Sequence, residues 1–197
     1  MNLPNKLTLL RIALVPFFIA SLLIPFPHHY IVSLAVFALA SITDCLDGKI
    51  ARKNNLITDF GKFLDPLADK ILVISALVCF VSLNLCDSVL VIIVLFREFT
   101  VTSVRLMAAT KGKVVAANIF GKIKTVTQMI AIIAIFVMQY ALELMNMGII
   151  PLGITAISLC TGIFFTAGEI LLWISTFFTI LSGVIYVIQN KSFITGK

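Results

Sequence analysis

With 197 residues, 60% of them hydrophobic and only 12% charged, the chain is too apolar for a water-soluble domain, in which roughly a quarter of residues carry charge. Its formal charge of +6 implies a basic face suited to anionic lipid headgroups or phosphorylated substrates, and in so apolar a chain it argues against nucleic acid as a partner. The four cysteines, Cys45, Cys79, Cys86 and Cys160, show neither the paired spacing of a zinc site nor a secreted disulfide framework, and read as small buried residues.

In chain order, the opening Asn2 to Arg11 mixes polar and apolar residues and reads as an interfacial segment at headgroup level. A first apolar run follows from Ile12 to Pro27; with Lys6 and Arg11 before it, it resembles a signal peptide, but in a chain apolar throughout it reads as a retained helix. Pro25 and Pro27 end it. His28 and His29 could pair on a metal in isolation, but their place favours an exposed turn on the outer side. Further runs extend over Tyr30 to Thr43, Ile71 to Cys86, Val89 to Met107, Thr125 to Leu142 and Ile170 to Gln189, approaching or reaching the roughly 20 residues that cross a bilayer. Asn54-Asn55, Asn84 with Asp87, and Gly112 with its lysine neighbours mark the connections. Between Met145 and Gly168 the chain is apolar but interrupted by Gly148, Pro151, Gly153 and Gly162, and reads as a separate outer-surface or re-entrant helical element.

Positive charge orients these runs. Ile12 to Gly48, Ile71 to Phe96 and Thr125 to Asn190 contain no Lys or Arg, whereas basic residues cluster at alternate connections and at both ends, including Lys111, Lys113, Lys191 and Lys197. The expectation is an all-α polytopic membrane protein, a single domain over residues 1–197, with six transmembrane helices and both termini cytoplasmic.

The chemistry concentrates where the second helix ends and the third begins. Asp44, Asp47, Gly48 and Ala51 share one helical face and Gly61, Asp65 and Asp69 another, and a short connection brings the faces together. Four carboxylates at a membrane edge repel one another unless cations compensate them. Hard divalent ions, Mg²⁺ or Mn²⁺ ahead of Ca²⁺, suit such oxygen donors, and metal ions with carboxylates serve phosphoryl transfer. Gly48, Ala51 and Gly61 leave room for a nucleotide, and Arg52 can neutralise phosphate. The bland alternative is a set of solvated helix-end charges.

The pattern D-x-x-D-G-x-x-A-R, eight residues, then G-x-x-x-D-x-x-x-D, which residues 44–69 match without a departure, resembles the signature of the CDP-alcohol phosphotransferase family. The likeness is strongest to members that act on CDP-diacylglycerol and glycerol 3-phosphate. It takes in Asn2 to Arg11, Phe63 to Lys70, Arg97-Glu98-Phe99 with Arg105, and Gly121 to Thr125 with Gln128. The resemblance implies a divalent metal on Asp44, Asp47, Asp65 and Asp69, with Asp69 as general base. It also implies a CDP site that includes Asn5, Thr8, Asp47, Gly48, Ala51, Arg52 and Gly61. Its further implications are a homodimer among membrane lipid and a bacterial cytoplasmic membrane, with the active site facing the cytoplasm.

Arg105, Lys122, Lys124 and Thr125 are then expected to bind the phosphate of sn-glycerol 3-phosphate, the alternative for the cations being a positive-inside anchor. Arg97, deep in a span, needs protein or a polar cavity around it; pairing with Glu98 and facing substrate both remain open. Gly121, Lys124, Thr125 and Gln128 are expected to form one polar stripe, although Thr125 can instead return its hydroxyl to the backbone. Other acceptors, such as serine or inositol phosphate, fit the same signature. A cation transporter is the reading from another class, but these acids gather at one face and offer no path across the bilayer.

Overall fold

A computed structural model describes residues 3–54, 59–110 and 119–191, with side chains for 8–43, 70–108 and 119–191. Asn55, Lys111, Gly112, Lys113 and Lys197 lie outside the described residues. Six helices and no strand occur among the described residues: α1 Leu3–Leu23, α2 His29–Asn54, α3 Asp59–Ser82, α4 Ser88–Thr110, α5 Ile119–Asn146 and α6 Ile154–Gln189. Two of them, α5 and α6, are long and apolar enough to cross a membrane; the apolar stretches Thr8–Leu23, His29–Thr43 and Lys70–Ser82 are shorter. Large apolar side chains such as Phe17, Phe96, Phe99 and Ile154 stand exposed, the kind of outer surface a membrane protein turns to lipid.

The packing falls into two units. The first comprises residues 1–83 and 136–161. Within it α1 packs against both α2 and α3, and one phenylalanine from each of four helices meets in a buried ring cluster. Phe136 of α5 lies 5.2 Å from Phe80 of α3, 6.0 Å from Phe18 of α1 and 6.1 Å from Phe37 of α2, centroid to centroid. Such tilted and edge-on pairs add about 0.5–1.5 kcal/mol each beyond the area they bury.

The end of this unit at residues 28–29 is closed by Glu143. Its Oε1 accepts the backbone N–H of His28 at 2.6 Å and of His29 at 3.2 Å, and lies 3.2 Å from His29 Nδ1. A carboxylate there satisfies donors that the start of α2 leaves without intrahelical partners. The histidine turn is therefore half-buried rather than exposed, with His28 at φ 67°. No group of three or more metal-binding side chains occurs among the described residues.

The second unit comprises residues 84–135 and 162–197. Asp87 caps α4, its Oδ1 accepting the N–H of Val89 at 2.9 Å. Along α6, the buried residues Gly168, Leu172, Ser175, Thr179, Ser182 and Tyr186 recur every three or four positions, a stripe of mostly small residues that permits close packing where lipid removes the hydrophobic drive between helices. Thr179 returns its hydroxyl to the carbonyl of Ser175 at 2.8 Å, while the buried Ser175 hydroxyl on that face has no hydrogen-bond partner among the described residues.

Two expectations change. The opening segment is no separate surface element: it is helical from Leu3 and runs without a break into the first apolar run, with Thr8 and Arg11 each 1% exposed. Nor do residues 145–168 form a separate element. Helix α5 ends in a Schellman closure, the N–H of Ile149 on the carbonyl of Leu144 and that of Gly148 on Met145, with Gly148 at φ 73°. From Ile154 a single 36-residue helix then continues to Gln189. A Cβ at Gly153 or Gly162 would meet nothing within 4 Å, so these glycines mark no close approach; Gly153 lies in the turn before α6, and Gly162, inside α6, interrupts nothing.

Candidate active site

The four aspartates sit where two consecutive helices meet the connection between them. Asp44 and Asp47 lie three residues apart in the last turns of α2, with Gly48, Ala51 and Arg52 following on the same helix. Gly61, Asp65 and Asp69 recur every fourth residue in the first turns of α3. Their side chains, and that of Asn5, lie outside the described part. Two mutually contacting helices each carry two of the aspartates in the turns next to residues 55–58, and aspartate is a residue type that offers hard oxygen. Thr8, on α1, is buried in the same unit.

The later basic residues Arg97, Arg105, Lys122 and Lys124 belong to the second unit. Glu98 of α4 joins two of them. Its Oε1 accepts Arg97 Nη1 at 2.8 Å and Lys124 Nζ, from α5, at 2.6 Å, while Arg97 Nη2 donates to Ser182 Oγ of α6 at 2.6 Å. The three charged side chains are 7–13% exposed, so the pairs are largely withdrawn from solvent and the geometry must offset their desolvation. Two cations thus share one carboxylate oxygen.

Arg105 lies eight residues beyond Arg97 on α4 and is exposed, its Nε 3.3 Å from the hydroxyl of Tyr186 and its guanidinium carbon 5.6 Å from that ring's centre. The guanidinium is thus held by the aromatic face while one side remains accessible. Lys122 is exposed. The expected stripe on α5 divides: Lys124 and Gln128 turn inward, whereas Thr125 is exposed and donates to the carbonyl of Gly121 at 3.0 Å. Gln128 Nε2 is buried with no partner among the described residues.

Of the expected acceptor-site residues, Lys124 stands in the Glu98 cluster and Arg105 beside Tyr186, with Lys122 and Thr125 on the exposed side of α5. Ser182 and Tyr186 escaped the sequence reading. Their signal was present in the spacing of Ser175, Thr179, Ser182 and Tyr186, which puts polar groups on one face of an otherwise apolar helix.

The family model described as CDP-alcohol phosphatidyltransferase matches residues 1–181. The chain is 42% identical to a CDP-diacylglycerol–glycerol-3-phosphate 3-phosphatidyltransferase of Bacillus subtilis, over 96% of this chain and 95% of that protein. It is 38% identical to the protein of the same name from Rickettsia bellii, over 98% and 97%. It is also similar to a probable phosphatidylglycerophosphate synthase of Mycobacterium tuberculosis, 42% identical over 66% of this chain and 64% of that one.

Proposed function

The chain belongs to the CDP-alcohol phosphatidyltransferase family, and from that premise we propose that it transfers the phosphatidyl group of CDP-diacylglycerol to sn-glycerol 3-phosphate, yielding phosphatidylglycerophosphate and CMP. The observation that carries the reading is the pattern at residues 44–69, in which four carboxylates and three small residues occupy the facing ends of α2 and α3. Relatives named for this reaction, similar over nearly the whole chain, support the choice of acceptor.

Asp44, Asp47, Asp65 and Asp69 would hold a divalent metal, Mg²⁺ or Mn²⁺, which when bound neutralises diphosphate charge and polarises the phosphorus under attack. Asn5, Thr8, Asp47, Gly48, Ala51, Arg52 and Gly61 receive the CDP moiety, the small residues by leaving space and Arg52 by its charge. The acceptor hydroxyl oxygen bonds to the lipid-side phosphorus, the bond from that phosphorus to the bridging oxygen breaks, and CMP leaves. Asp69 takes the hydroxyl proton, a role worth about 10²- to 10⁴-fold.

Arg105, Lys122, Lys124 and Thr125 bind the acceptor phosphate. Glu98 supports the reading for Lys124 by fixing its ammonium before substrate arrives, so that little reorganisation accompanies binding. Arg97 serves the scaffold, since both of its Nη groups are engaged. The alternation of basic and base-free segments supports six transmembrane helices with both termini and the active site cytoplasmic, one domain spanning the chain in a bacterial cytoplasmic membrane. A homodimer is the assembly expected from the family.

The test is turnover of CDP-diacylglycerol by purified protein with a panel of acceptors. Glycerol 3-phosphate should give lipid product and CMP in equal amounts, and Lys122→Ala should raise the KM for glycerol 3-phosphate more than that for CDP-diacylglycerol. Transfer to serine or inositol phosphate in preference would displace the proposed acceptor.

A further inference from the structure

The buried face of α5 within the second unit changes character along its length. Lys124 and Gln128 come first, and Ala131, Ile132 and Ile135 continue it as an apolar surface. Gln128 is the last polar side chain of α5 in this unit, and it is 3% exposed.

Its amide lacks what a buried amide needs. Nε2 has no hydrogen-bond partner among the described residues. Two contacts fix the helices around it: Lys124 Nζ on Glu98 holds α5 to α4, and Arg97 Nη2 on Ser182 holds α4 to α6. The polar groups that these contacts bring into register turn elsewhere. Glu98 Oε1 accepts Arg97 and Lys124, Ser182 Oγ accepts Arg97, and Thr179 donates to the carbonyl of Ser175. A glutamine that joined helices would have bonded one of these groups. A donor withdrawn from water without a partner destabilises the fold, and a methionine would fill the same volume without that penalty. An unsatisfied group of this kind is accounted for by a ligand that completes it.

Position indicates which part of a ligand. Gln128 follows Lys124 by four residues on the same face, roughly 6 Å along the axis. Side chains on a helix lean towards its N-terminus, so the amide covers the turn that carries Lys124. Lys124 is the cation assigned above to the phosphate of sn-glycerol 3-phosphate. That acceptor has two hydroxyls besides its phosphate: the one at C1 attacks, and the one at C2 neither attacks nor leaves. A carboxamide both donates and accepts, as a hydroxyl does, whereas a phosphate calls for cations.

We propose that Gln128 determines acceptor specificity by donating from Nε2 to the C2 hydroxyl of the acceptor, so that a vicinal diol phosphate is preferred to a simple hydroxyalkyl phosphate. This role rests on glycerol 3-phosphate being the acceptor.

The test compares purified native protein with Gln128→Met, using CDP-diacylglycerol and either sn-glycerol 3-phosphate or 3-hydroxypropyl phosphate. The second acceptor keeps the phosphate and the attacking hydroxyl and lacks only the hydroxyl at C2. Native protein should prefer glycerol 3-phosphate at least about tenfold in kcat/KM, equivalent to about 1.4 kcal/mol, because the analogue leaves the amide unpaired. In Gln128→Met, kcat/KM for glycerol 3-phosphate should fall about tenfold and the preference should approach one. The thermal midpoint of the variant without acceptor should equal or exceed that of native protein, since an apolar side chain of similar volume replaces an unpartnered amide. A lower midpoint with equal losses for both acceptors would instead mark Gln128 as part of the scaffold and overturn the proposal. So would a preference retained in the variant. Gln128→Leu allows the same comparison if the methionine variant is not recovered folded. Native protein that makes phosphatidylglycerophosphate without distinguishing the two acceptors would overturn this role and leave the reaction standing. Native protein that uses neither would overturn the reaction, and the role of Gln128 with it.

Discussion

Glu98 gathers Arg97 and Lys124 on a single oxygen in a largely buried setting, so removing the carboxylate leaves two cations without the partner they share. Glu98→Gln alone is expected to cost about 3 kcal/mol or more, and adding Lys124→Met should recover part of it, giving a coupling of at least about 1 kcal/mol. Denaturation midpoints of the four proteins of the cycle in detergent check this; additive losses would contradict a shared clamp. Part of the cluster was legible in the sequence, because an arginine flanked by Phe96, Ile93 and Val101 needs a polar neighbour and Glu98 is adjacent. Lys124 and Ser182 as the other partners were not. Neighbours on different helices depend on how those helices rotate about their axes, which spacing along one of them does not specify. Thr125 shows the same limit: its position puts it at the edge of the inward face, and packing turned it out to bond with Gly121.

At the scale of elements, the helix ends were legible wherever a specific backbone need selects a residue type. Asp87 as a cap, and Asn84 and Gly148 at φ 57° and 73°, follow from the donors and the left-handed turns that helix ends require. The misreading came from treating every glycine as such a signal. Gly148→Ala is expected to lower the thermal midpoint, by the equivalent of about 1 kcal/mol, because of its positive φ. Gly162→Ala should raise it by a similar amount, because it lies inside α6 with open space around it and gains only helix propensity. Two changes of the same sign would refute the single long helix. That helix, at 36 residues, extends roughly 54 Å, well beyond the roughly 30 Å of hydrocarbon in a bilayer. Residues 154–161 pack with the first unit and 162–189 with the second, a division that no feature of composition announced.

For the molecule as a whole, each of the six apolar runs read from the sequence falls on a different helix, because alternating runs of apolar residues and clustered cations survive any detail of packing. The bounds differ more: α1, α3 and α6 begin nine, twelve and sixteen residues before their runs, and α2 continues eleven beyond its own. Orientation can be tested by labelling with a membrane-impermeant maleimide in intact cells. Met147→Cys, in the α5–α6 turn, should react from outside, and Lys191→Cys only after permeabilisation; the reverse would invert the topology. The native Cys86, in the α3–α4 connection, will contribute little background at neutral pH. Burial, with Asp87 and Glu169 as further causes, pushes its thiol up to about 11, so its reactive thiolate is scarce below that pH and grows about tenfold for each pH unit towards it.

The central claim is that carboxylates at the ends of α2 and α3 drive transfer of the phosphatidyl group. The most direct measurement uses CDP-diacylglycerol labelled at its lipid-side phosphate, with purified wild type and the Asp65→Asn variant, glycerol 3-phosphate and Mg²⁺ or Mn²⁺. Label should pass into phosphatidylglycerophosphate with the wild type, and transfer should fall by at least about 10²-fold in the variant while the protein remains folded and membrane-inserted. Wild-type transfer by Asp65→Asn protein, shown to be free of native enzyme, would contradict the account.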